Sequence, residues 1–323
     1  MQKRSQQELS VSGQELDKLE ANRRRIVDLL ERSSPGPGVR GSVLEGVKLM
    51  RADSSTARVP VLYEPSIVVV ARGRKRGYLG GQTYIYDQNN YLVLSVPMPF
   101  ECETEVSAEG PMLGVSIKVD VSVLGELLMK MNPRQSSADS GALGIFATPL
   151  DERMSGAVLR LLECMQSPVE AEILGPQIMR EITYLVLCGE QGGALLALIA
   201  LNGRIGQIQR AVQRMHIQYN QALDITELAE DLGMSASAFH HNFKAVTATS
   251  PLQYLKTIRL HKAKMFMVQE GIGAGDAAER VGYESVSQFS REFKRFFGES
   301  PLQEVAITRA RLGLEAPVLT RIE

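Results

Sequence analysis

Two short runs of this chain carry side chains of the kinds that read base edges. Ser237, His240, His241 and Lys244 fall opposite Phe239 and Phe243 at helical spacing. Val286, Ser287, Gln288, Ser290, Arg291, Lys294 and Arg295 fall opposite Phe289 and Phe293 in the same way. Arginine takes guanine with two hydrogen bonds, glutamine takes adenine, and small side chains meet thymine methyls. Lys244, Lys294 and Arg295 suit phosphate contacts by position, with a solvated basic helix face as the alternative. His240 and His241 could in principle share a metal, but neighbours on a helix point about 100° apart and do not converge. A third cluster, Arg72, Arg74 and Arg76, would lie on one face of a strand if that strand persists. Guanidinium forks there would pair with phosphates and guanine edges and stack on bases.

Enzyme chemistry finds no foothold. All four histidines (His216, His240, His241, His261) lie in the C-terminal third, so the β-rich part cannot build an imidazole metal site. No nucleophile elbow, phosphate loop or dinucleotide fingerprint occurs. Cys102, Cys164 and Cys188 are widely and oddly spaced, which fits a reduced compartment without a metal or disulfide framework. The expectation is a binding protein with no catalytic residue, no cofactor and no metal.

The two base-reading runs belong to one unit used twice. Ala229 and Gly233 match Ala278 and Gly282 at an offset of 49, and after one extra turn residue Phe239, Phe243, Lys244 and Ser250–Gln253 match their counterparts at 50. Each copy reads helix, tight turn, helix. Thr226 is a plausible N-cap for the first helix, Gly233 suits a left-handed C-terminus, and Ser235 or Ser237 caps the second. That is the helix-turn-helix pattern, whose second helix enters the major groove. Pro251 to Gln269 reads as one helix joining the copies.

Two such units, the first ending "FK…SPLQY" and the second reading "VGY-S-SQFSREFKRFFG-SP", resemble the DNA-binding domain of AraC/XylS-type transcription regulators over roughly Asn202 to Ile307. By position, the resemblance implies that Ser237, His240 and His241 read one groove segment and Val286, Ser287, Gln288, Ser290 and Arg291 the next. The family often has Pro where this chain has Val286. Unlike recognition helices predict an asymmetric site over two major-groove segments about 34 Å apart. The basic footprint must be local. From Asn202 onward 15 Lys and Arg face 13 Asp and Glu, and the acids Glu227, Glu230, Asp231 and Glu279 sit on the first helices.

Gln14 to Arg32 reads as an amphipathic helix ended by "SSPGPG". Short β runs with turn residues between them fill Ser42 to Asp120, which argues a compact barrel or jelly roll. This segment resembles the cupin-like sensor of one AraC-type subgroup. From Val121 to Leu201 the pattern is helical; in the family, helices here often form the dimer contact. The expected fold class is therefore α+β: an N-terminal cupin-like β-barrel or jelly roll with flanking helices, then an all-α double helix-turn-helix domain. The expected divisions are 1–40 helix and linker, 41–120 effector barrel, 121–201 dimerisation and linker helices, 202–310 DNA-binding domain, and 311–323 tail.

Arg72-x-x-x-Arg76 also resembles the first half of the cyclic di-GMP motif of PilZ domains. Glu105, Ser107 and Gly110 would stand for its second half, with Glu in place of Asp or Asn. The same spacing recurs at Arg210–Arg214 and Arg291–Arg295, and the family commonly carries a basic hairpin here, so a structural role stays open. The readings are a DNA-binding regulator, expected to activate, controlled by cyclic di-GMP or by another small effector, or a nonspecific DNA-binding protein without ligand. Duplex DNA, a small effector, a second copy of the chain and RNA polymerase are the expected partners. The start of the chain lacks a signal-peptide core, and the apolar run Tyr184 to Leu201 is broken by "GEQGG". A cytoplasmic protein without membrane contact is expected.

Overall fold

The computed structural model describes residues 2–131, 144–189, 192 and 204–311. The predicted division between 201 and 202 lies outside these residues, as does the tail beyond Arg311. Helix α1 runs Gln2–Ser33, longer than the predicted Gln14–Arg32. It buries Ile26, Leu29 and Leu30.

Nine strands follow: β1 (Gly38–Gly41), β2 (Val47–Ala52), β3 (Thr56–Tyr63), β4 (Ser66–Arg72), β5 (Arg74–Leu79), β6 (Gln82–Asp87), β7 (Asn90–Leu94), β8 (Met98–Glu105) and β9 (Met112–Lys118). They form one antiparallel sheet in the order β1-β2-β9-β4-β7-β6-β5-β8-β3. The sheet ends on β1 and β3, so it is a curled half-barrel with two edges. A tenth strand, β10 (Ile145–Pro149), pairs with β7 inside the stretch read as helical. Strand β3 carries Pro60, whose missing N–H is tolerated at the sheet edge.

The run Ser66–Leu79 reads as one strand but folds as two. Gly73 sits at φ 80, and a Cβ there would come 2.7 Å from the Glu105 carbonyl oxygen. Only glycine makes that turn without strain. Arg72 therefore closes β4 while Arg74 and Arg76 begin β5, so the three arginines do not share a face.

Three helices flank the sheet: α2 (Val121–Met131), α3 (Glu152–Cys164) and α4 (Pro168–Cys188). Asp151 and Ser167 cap the last two, and Pro168 takes the first helical position of α4. Helix α3 packs between α1 and α4. No helix among the described residues is long and apolar enough to cross a membrane.

The C-terminal part is wholly helical: α5 (Arg204–Ile217), α6 (Ile225–Asp231), α7 (Ala236–Thr247), α8 (Pro251–Gln269), α9 (Ala274–Arg280), α10 (Val286–Phe297) and α11 (Pro301–Arg311). Buried residues of α5 to α7 and the first turns of α8 are continuous with the core of the half-barrel. Those from Leu260 to Val305 form a second core.

Candidate nucleic-acid interface and effector cleft

Each helix-turn-helix unit is built by a cap, a glycine and a pair of phenylalanines. Asp224, in place of Thr226, caps α6, accepting from the Thr226 amide at 2.7 Å. Gly233 at φ 68 and Gly282 at φ 81 make the two turns. Ser235 caps α7 and Ser285 caps α10, so α10 starts at Val286 without the proline common in the family. Phe239, Phe243, Phe289 and Phe293 are fully buried and hold the recognition helices in place.

The opposite faces are open. Ser237, His240, His241, Lys244, Val286, Ser287, Gln288, Arg291, Lys294 and Arg295 are exposed, and Ser290 is half-buried. Gln288 leans on Glu292, donating from Nε2 at 3.3 Å. Arg291, Lys294 and Arg295 line a groove with Ser290, Ser300 and Pro301. Among the described residues, no carboxylate pairs with any of these three cations, which leaves them available to phosphates. The first unit presents fewer charges, only Lys244 beside two imidazoles.

The arginines of the sheet are differently placed. Arg72 is buried, donating from Nε to the Pro111 carbonyl at 2.9 Å and from Nη2 to Glu31 of α1 at 2.6 Å. Arg74 pairs with Asp87 at 3.0 Å, and Arg76 with Glu103 at 3.2 Å and Glu105 at 2.8 Å. The motif residues do come together, because a Cβ on Gly110 would meet the Arg72 guanidinium at 3.0 Å. Ser107 pairs across an isolated bridge with Gly110. Every guanidinium in the cluster already has a carboxylate of this chain.

A cleft of about 490 Å³ opens between the half-barrel and the DNA-binding helices. Lys48, Lys118 and Ser116 enter from β2 and β9, Leu62 and Tyr63 from β3, His216 from α5, and His261, Lys262 and Met265 from α8. Lys48 is paired with Glu64 at 3.4 Å. Lys118 and Lys262 have no carboxylate partner among the described residues, and Lys262 rests over the Tyr219 ring at 4.6 Å. A second hollow shares Val39, His261 and Met265 with the first and extends it toward Val268 and Thr308. His261 Nε2 is buried with no hydrogen-bond partner. Burial, then nearby Lys264, pushes the His261 pKa down to about 3, and burial, then Lys262, pushes that of His216 down to about 4.

Sequence reading missed this cleft. The β2–β9 register places Lys48 opposite Ser116, so Lys118 two residues on shares that face; alternation could have paired them. Nothing local brings α8 against them. Among the described residues, no group of three His, Cys, Asp or Glu side chains is placed to hold a metal.

Paired helix-turn-helix units on one connecting helix, set against a curled antiparallel sheet, define a two-part DNA-binding regulator. A family model described as AraC-type transcriptional regulator N-terminus matches residues 43–194, and a helix-turn-helix domain model matches 228–305. The chain belongs to the AraC/XylS family of DNA-binding transcription regulators. It is 22% identical over 244 residues to the thermoregulatory protein LcrF of Yersinia pestis, spanning 74% of this chain and 88% of that one. It is 26% identical over 159 residues to the transcriptional activator RhaS of Yersinia pestis, 47% of this chain and 57% of that one. Among solved structures, ToxT from Vibrio cholerae with an unsaturated fatty acid bound superimposes with a TM-score of 0.57 at 10% identity. That match covers 80% of this chain and 94% of ToxT, and it shows a shared fold.

Proposed function

We propose that this regulator reads an asymmetric operator with α7 and α10 and is controlled by an elongated anionic amphiphile held in the cleft. The observation that carries the effector reading is that Lys118 from the sheet and Lys262 from α8, neither in a salt bridge among the described residues, line one cleft together with the Lys48–Glu64 pair and apolar side chains. A carboxylate there would answer both ammonium groups, and its chain would cover Val39, Met50, Leu62 and Met265. His261 lines the same trough, and its Nε2 is buried without a hydrogen-bond partner. ToxT, with the same fold, has been crystallised with an unsaturated fatty acid and with a naphthyl-butenoic acid, both carboxylic acids. The reading includes a homodimer on two half-sites, for which the exposed Val169, Ile173 and Leu174 of α4 are the candidate face. Activation through RNA polymerase remains the family expectation.

Cyclic di-GMP at Arg72 and Arg76 would first have to displace Glu31, Glu103 and Glu105. Calorimetric titration with oleate and, separately, with cyclic di-GMP decides between the sites. The cleft reading expects oleate binding that weakens at least about tenfold in Lys118→Gln/Lys262→Gln, the loss of roughly one charge-assisted contact. Oleate binding unchanged in that variant, or absent from the wild type, overturns it. Cyclic di-GMP binding that disappears in Arg76→Ala moves the effector to the sheet.

A further inference from the structure

The duplication supplies its own control. At the offset of 50, Val246, Ala248 and Tyr254 correspond to Phe296, Gly298 and Glu304. In the first unit all three positions meet the half-barrel. The Val246 carbonyl accepts from the Gly144 amide at 3.3 Å. Ala248 stands at φ 59, and among the described residues no other non-glycine has a positive φ. Its methyl faces the β5–β6 turn, where a Cβ on Gly80 would come within 3.3 Å of it. Gly298 ends α10 at φ 91 with no side chain to place. The Tyr254 hydroxyl donates to the Pro97 carbonyl, in the loop between β7 and β8, at 2.6 Å. In the second unit Glu304 instead pairs with Lys264 of its own domain.

Tyr254 connects two further groups. A phenol has one proton, and Pro97 receives it, so at 2.9 Å the oxygen accepts from Nε2 of His216, which lines the cleft. Burial and Lys262 keep that imidazole neutral at pH 7. On its other side the Tyr254 ring stands edge-on to Phe243 at 5.4 Å, and Phe243 packs on Phe239 at 5.5 Å. These two rings are the buried spine of α7. The first unit also shares its core with the half-barrel, whereas the second has its own.

We propose that Tyr254 is the positioning residue through which occupancy of the cleft sets the first recognition helix. A ligand that engages His216 draws the imidazole from Tyr254, weakens the hydroxyl's bond to Pro97, and loosens α7 from the half-barrel. The second recognition helix, although it approaches β3, has no equivalent bond and responds less. This inference rests on the cleft reading for its ligand, but not for the bond that it names.

Amide hydrogen exchange on the full chain tests it, free and with oleate, in wild type and Tyr254→Phe. The substitution keeps the ring on Phe243 and removes only the hydroxyl. In the free variant, which loses the hydroxyl's bonds to both Pro97 and His216, amides of α7 are expected to exchange at least about fivefold faster, while those of α10 are unchanged. Oleate is expected to speed α7 exchange in wild type, and to bind Tyr254→Phe without further effect on α7. Unchanged α7 exchange in the free variant overturns the proposal, as does an undiminished oleate response. If oleate does not bind wild type, the cleft reading fails on its own, and the free-protein comparison still decides the role of Tyr254.

Discussion

The two turn glycines make a matched pair whose substitution separates backbone strain from packing. Gly233 and Gly282 occupy equivalent turns at φ 68 and φ 81, so alanine at either pays the left-handed cost of about 1–2 kcal/mol. Around Gly233 no atom lies within 4 Å of a built Cβ, and strain is the whole effect. At Gly282 the Cβ would sit 2.8 Å from the Asn220 carbonyl carbon and 3.0 Å from its Cα, with the oxygen closer still. The Asn220 backbone must then move. It is pinned by Arg259, which donates to the Tyr219 carbonyl at 2.7 Å and to the Gln221 carbonyl at 2.8 Å. Loss of those two charged hydrogen bonds adds up to about 1.5–3 kcal/mol each, so Gly282→Ala should cost more than the 1–2 kcal/mol of Gly233→Ala, up to roughly 4–8 kcal/mol if both are lost. Urea denaturation monitored by circular dichroism measures both. Equal costs, within about 0.5 kcal/mol, would refute the argument that the 218–221 loop braces the second turn.

Two more outcomes follow from the charges. His216 and His261 have folded pKa values of about 4 and about 3, below the unfolded value near 6.5. The unfolded chain therefore takes up these protons first. The stability they contribute is complete above about pH 6.5 and is lost as the pH falls toward 4. His261→Leu should flatten the fall in urea midpoint between pH 7 and 5, and an unchanged slope would mean that His261 titrates normally. Arg291→Ala and Lys294→Ala should each lower the slope of log affinity against log salt by about 1. Only Arg291→Ala should also relax base preference in competition binding against altered sites, since the role proposed for Lys294 is a phosphate contact.

The DNA-binding half was legible because its signal is local and stated twice. Phe239, Phe243, Phe289 and Phe293, with the turn glycines, fix which faces are buried, and the structure leaves the residues proposed to read bases exposed, with Ser290 half-buried. Details decided by a single hydrogen bond were not legible, such as Asp224 taking the cap in place of Thr226. In the sheet, Gly73 looked like one more strand residue until its φ of 80 split the run. The arginines looked free because their partners are remote in sequence: Glu31 lies 41 residues before Arg72, and Glu103 lies 27 beyond Arg76. The cleft is less legible still. Lys48, Lys118 and Lys262 belong to three elements that only the packing of α8 on the sheet brings together.

On the proposed reading, α7 and α10 together read one asymmetric sequence. Selection of bound duplexes from a randomised pool, followed by protection mapping on the winner, tests it most directly. The expected outcome is enrichment of a non-palindromic site with two protected major-groove blocks about one helical turn, roughly 10 base pairs, apart. His240→Ala should blur one block and Arg291→Ala the other. A pool that shows no sequence enrichment, with affinity set by salt alone, would contradict it.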